Sequence, residues 1–91
     1  MNEANLLAIL LVEKYPDVVD YKHFLGIIYS GLYLLYRFCG QRDSSVYCCR
    51  KAYGIFQELA IMMPDNEEYK KALEYYPVML DYLLSNDYEN E

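Results

Sequence analysis

Side chains suited to acid–base or nucleophilic work are scarce in this chain and poorly placed for it. His23 is the single histidine among 91 residues. A Ser-His-Asp or Cys-His arrangement would have to be built on it, and no nucleophile motif stands near it. Cys39, Cys48 and Cys49 are odd in number and two are adjacent, so no even disulfide framework follows from them. No Cys-x-x-Cys pair accompanies them, and a zinc site would want such spacing. They read as small buried thiols of a reducing compartment. Glu67 and Glu68 are paired carboxylates, but they fall at a helix start, where capping accounts for them. There is no Gly-rich phosphate loop and no His-Glu-x-x-His. The expectation is a protein that is not an enzyme and carries no cofactor and no metal. His23 is expected on the surface or in a groove.

Charge narrows the class of partner. The net charge is −6, and residues 1–63 carry as many acids as bases. The whole excess lies in residues 64–91, where only Lys70 and Lys71 oppose the acids. Without a basic stripe, direct nucleic-acid binding is not expected. This acidic segment reads as solvated, with a flexible tail over residues 85–91, or as a dock for a basic partner. The longest uncharged apolar stretch, Phe24 to Tyr36, is too short to span a bilayer. Leu6 to Val12 is apolar but lacks a preceding base and a cleavage site. The expectation is a cytoplasmic protein that does not insert in membranes.

The elements that position these residues are helices. Length allows one domain, residues 1–84, and no segment alternates with period two. A first helix is expected over about 3–15, with Ala4, Leu7, Ala8 and Leu11 on its packed face and Leu6, Ile9 and Leu10 widening it. Pro16 stops it. A second runs over about 18–39, capped by Asp17 with Asp20 in support and ended by Gly40. Gly26 and Gly31 lower its propensity, which a closely packed neighbour would explain. A third spans about 44–63, capped by Asp43 or Ser44 and ended by Pro64. A fourth spans about 66–84, with Asp65 and Glu68 in a capping-box relation and a kink or split at Pro77. Short breaks make sequence neighbours antiparallel.

A ten-residue pattern occurs twice, 48 residues apart. Pro16-Asp17 with Tyr21-Lys22 and Leu25 answers Pro64-Asp65 with Tyr69-Lys70 and Leu73. The same offset carries Leu7 to Ile55, Leu11 to Leu59 and Leu32 to Leu80. Duplicated helix-start signals in a short chain point to stacked helical hairpins, which are usually binding scaffolds.

The run Lys51-Ala52-Tyr53-Gly54-Ile55-Phe56-Gln57-Glu58-Leu59-Ala60, then Met63-Pro64-Asp65-Asn66 and Tyr69 to Leu73, resembles a junction between tetratricopeptide repeats. The period here is longer than that family's, about 34 residues, and the first-helix signature is echoed only by Leu25-Gly26 and Tyr29. The resemblance implies an all-α superhelix segment of four antiparallel helices; a four-helix bundle is the alternative. It also implies a concave face lined by the second and fourth helices. On the second, Tyr29, Tyr33 and Arg37 form one stripe that Lys22 and Gly26 extend. The matching positions on the fourth are Lys70, Glu74, Pro77 and Asp81. Rings flanked by cations would grip an extended peptide or a helix; otherwise the tyrosines cap the core. Tyr75, Tyr76, Tyr82 and Tyr88 crowd the far end, which either invites a homodimer or folds back on the core. The expected function is a protein- or peptide-binding module. The alternative is a small acidic inhibitor, antitoxin-like or mimicking nucleic acid, that meets a basic partner.

Overall fold

Pro16, Gly40 and Pro64 divide the chain into four helices. A computed structural model describes residues 3–85, and contains α1 (Glu3–Lys14), α2 (Val19–Phe38), α3 (Arg42–Met62) and α4 (Glu67–Leu84). No strand occurs among the described residues. The protein is all-α. Of the acidic tail expected over 85–91, all but Ser85 lies outside the described residues.

The duplicated Pro-Asp pair makes the same turn twice. The Val18 N–H donates to the Tyr15 carbonyl at 3.2 Å, and the Asn66 N–H to the Met63 carbonyl at 3.1 Å. Proline occupies the second turn position each time, where its fixed φ suits the geometry, and the aspartate follows it. The aspartates are therefore consumed by the turn, and the helix caps fall one residue later than expected. Val18 caps α2 without a side-chain bond, whereas the Asn66 side chain accepts from the Tyr69 N–H at 3.0 Å. The α3 cap also differs from expectation. It is Gln41, which makes no side-chain cap bond, and Asp43 and Ser44 sit inside the first turn.

Gly40 ends α2 as its position predicts. It takes φ +74°, its N–H donates to the Arg37 carbonyl at 3.2 Å, and the Gln41 N–H donates to the Tyr36 carbonyl at 2.9 Å. This is the paired closure that glycine permits at a helix C-terminus. Pro77 does not split α4, which is helical on both sides of it. The Leu73 carbonyl loses its helical donor there, because proline has no N–H.

Packing follows chain order. α2 packs on α1 and α3, and α3 on α4; no other pair of helices brings its Cα atoms within 8 Å. In particular α1 and α4, whose contact would close a bundle, stay apart. Asn5 meets Tyr29 and Tyr15 meets Tyr21, so α1 and α2 are antiparallel. Lys22 pairs with Glu58 while the Ser45 hydroxyl donates to the Tyr33 carbonyl at 2.9 Å, so α2 and α3 are antiparallel too. Phe56 near Tyr69 and Arg42 Nε donating to the Leu83 carbonyl at 2.6 Å give the same relation for α3 and α4. The zigzag spreads into a slab, 42 × 31 × 14 Å across the Cα atoms. Its thickness is that of two helix layers at ordinary packing distance.

The core centres on Phe56. Its ring stacks on Tyr76 at 5.7 Å between centroids and meets His23 edge-on at 6.2 Å. A Cβ at Gly26 would lie 3.1 Å from two ring carbons, so Gly26 is glycine because α3 comes this close. Gly31 has no such neighbour within 4 Å, and close packing does not explain it. On α1 the packed face holds Asn5 and Ala8 rather than Leu7, which is 57% exposed.

Candidate functional site

The stripe expected to front a groove is instead the inner spine of α2. Tyr33 is 0% exposed and Tyr29 is 5% exposed, so neither ring can touch a partner in this fold. Their burial has a reason in helix geometry: positions 22, 26, 29 and 33 share the side of α2 that α3 covers. Lys22 is tied to Glu58, and Gly26 is closed by Phe56. Arg37 lies over the Tyr82 ring at 4.9 Å from its centroid. On α4, Lys70, Glu74 and Asp81 are exposed, with Lys70 Nζ 3.5 Å from Glu67. They stand on the side of α4 turned away from α2. The two expected stripes do not face one another.

A groove between α2 and α4 does exist, lined by other residues. Ile27, Ser30, Gly31 and Leu34 form the α2 wall, and Glu68, Lys71, Ala72 and Tyr75 the α4 wall, with Phe56 and Tyr76 beneath. It encloses about 460 Å³. The tyrosines of α4 create it. They bridge two helices whose backbones never come close, and a phenol reaches further than an aliphatic side chain. The Tyr69 hydroxyl and His23 Nδ1 are hydrogen-bonded at 2.9 Å. Tyr33 and Tyr75 join hydroxyl to hydroxyl, Tyr76 hydrogen-bonds Ser30, and Tyr82 receives the Arg37 cation. Of the two expectations for the tyrosine-rich end, the inward one describes buried Tyr76 and half-buried Tyr82; Tyr75 joins Tyr33 by its hydroxyl but is itself exposed, and Tyr88 lies outside the described residues.

Burial sets the electrostatics of this ladder. It raises the phenol of Tyr33, and the hydrogen bond shared with Tyr75 adds to the effect. Burial raises Tyr76 and Tyr69 likewise, and Glu68 adds to the shift at Tyr69. Neutral phenols beside one another serve as paired donors and acceptors, a structural role. The thiols of Cys48 and Cys49 are buried and pushed up in pKa, Cys49 to about 11, which removes them as nucleophiles at neutral pH. Cys39, expected to be buried with them, is exposed. Among the described residues no group of three His, Cys, Asp or Glu side chains converges as a metal site would require.

The groove wall continues onto an exposed apolar ridge of α2. Phe24, Ile27, Leu35 and Phe38 are exposed, Phe38 at 82%, and Tyr75 and Val78 of α4 lie exposed across the groove. Gly31, without a side chain, leaves a dip in that ridge. Both faces of α2 are apolar in sequence, so periodicity alone could not tell the spine from the ridge. Gly31 pointed the other way in sequence, where it reads with Gly26 as a close-packing glycine, yet its position is open.

No family model matches the chain, and no curated protein or solved structure proved significantly similar to it. No helix among the described residues is long and apolar enough to cross a membrane.

Proposed function

We propose that this chain is a non-enzymatic interaction module that seats a short amphipathic helix of a protein partner in the α2–α4 groove. The observation that carries this reading is the exposed ridge of Phe24, Ile27, Leu35 and Phe38 beside a groove with a glycine dip. An exposed apolar ridge that borders a groove, with Ile27 common to both, favours a ligand with apolar anchors at i, i+3 or i+4, and i+7. The ridge from Phe24 to Phe38 is about 21 Å long, room for about four turns of partner helix. Glu68 and Lys71 at the rim give the ligand's polar flank one acceptor and one donor. The tetratricopeptide-like reading supports the same proposal through its duplicated turn and open packing. It differs in the residues that do the work.

The test uses helical peptides selected against the protein from a display library. Ile27→Asp and Gly31→Leu, which charge and fill the groove, should each weaken capture at least tenfold while the helical circular dichroism is kept. Tyr29 and Tyr33 should not be protected from modification by the bound peptide beyond their protection in the free protein. Undiminished capture by both groove variants refutes the proposal.

A further inference from the structure

We infer that α1 is a homodimerisation helix, pairing antiparallel with α1 of a second copy about a two-fold axis. Asn5 and Ala8 turn α1 toward the core, and the opposite face is apolar. It presents Leu6, Leu7 at 57% exposure and Leu10 at 52%, with Glu3 and Lys14 exposed at its two ends. Glu3, Leu7, Leu10 and Lys14 follow steps of four, three and four. That is the spacing of a seam between two helices packed side by side.

Charge selects the orientation. A parallel pair would set Glu3 against Glu3 and Lys14 against Lys14. An antiparallel pair centred between Leu7 and Leu10 sets each Glu3 against the Lys14 of the other copy and packs Leu7 on Leu10. The helix dipoles oppose one another in that arrangement as well. Lys14 Nζ lies 5.5 Å from its own Tyr15 ring, which holds the ammonium at the end of the seam where the second Glu3 would arrive.

The other end of the slab argues for a closed pair rather than a stack. The outward side of α4 carries Lys70, Glu74 and Asp81, all exposed. A leucine face laid on those charges would desolvate them without partners. Two α1 faces satisfy each other and leave nothing to propagate. The helix has 12 residues and is about 18 Å long, so the interface lies at the small end of the specific range. An interface of this size belongs to weak, reversible pairs.

Sedimentation equilibrium over a concentration series from about micromolar to about millimolar reads this directly. The expected result is a reversible monomer–dimer equilibrium, abolished in the L7E/L10E variant with helicity retained. E3K should weaken the dimer at least tenfold by setting like charges together. E3K/K14E should restore it. The double exchange worsens both ends of each helix's own dipole, so recovery can come only from across the interface. A monomer throughout the series, a dimer indifferent to L7E/L10E, or failure of the double exchange to rescue E3K overturns the inference.

Discussion

Alanine introduced at Gly26 meets Phe56; alanine introduced at Gly31, on the same helix, meets nothing within 4 Å. Helix propensity favours the substitution at both sites by about 1 kcal/mol. At Gly31 that gain stands alone, because the site is open and the helical φ suits alanine. At Gly26 the new methyl lies 3.1 Å from two Phe56 ring carbons and 3.2 Å from an Ile55 methyl. The ring cannot retreat: Tyr76 stacks on it, and His23 and Tyr69 close its other sides. Overpacking a clamped core costs about 1–3 kcal/mol, which exceeds the propensity gain. Gly26→Ala should thus lose about 1 kcal/mol net and Gly31→Ala gain up to about 1 kcal/mol. In a domain of this size that is about 4–8 °C of melting temperature in opposite directions. Urea and thermal denaturation of the two variants beside the parent decide it. Were Gly26→Ala as stable as the parent, Phe56 would not be clamped, and the close α2–α3 approach would not explain the glycine.

The cap assignment is open to the same kind of comparison. Asn66→Ala should cost about 1 kcal/mol and Asp65→Ala about half that or less, measured as shifts in urea midpoint; the reverse ranking would restore Asp65 as the cap. Alkali should unfold the protein cooperatively. Burial lifts Cys49 from 9 to about 11 and raises the phenols of Tyr29, Tyr33, Tyr69 and Tyr76 above 10. A raised acid pKa means that the folded state keeps a proton the unfolded chain gives up. Stability is therefore full below pH 9 and falls as pH rises beyond it, by about 2 kcal/mol from Cys49 alone at pH 11, with the tyrosines adding from pH 10 upward. Helical dichroism and tyrosinate absorbance should change together; phenols that titrate near pH 10 with the helices intact would contradict this.

Breaks in the chain were the most legible feature, since Pro16, Gly40 and Pro64 act through the backbone and need no tertiary context. Caps were legible to within a residue for α2 and α4, and the α3 cap, Gln41, lies two residues before the nearer candidate. A Pro-Asp pair suits both a turn and a helix start, and the turn used it, leaving Asn66 as the cap of α4 and Val18 as that of α2. The four-helix all-α architecture followed from periodicity. The choice of face did not, because α2 is apolar around most of its circumference and α1 around more than half. Which side of such a helix becomes the spine depends on where α3 lies, and that contact is fixed by Gly26 and Phe56, 30 residues apart. The tyrosines misled for a related reason. A phenol near a cation suggests recognition, yet Tyr33 uses its hydroxyl on Tyr75 and Tyr82 uses its ring face on Arg37, both within the fold.

The zigzag packing gives the helices unequal standing. Each end helix is held by one backbone neighbour, and the α2–α3 hairpin is common to both attachments. Detaching α1 would leave the other three in place, whereas opening the hairpin would release everything. Robustness is thus concentrated in the middle of the chain, with α1 the most dispensable element, which suits a segment whose exposed leucines can then respond to the concentration of the protein itself.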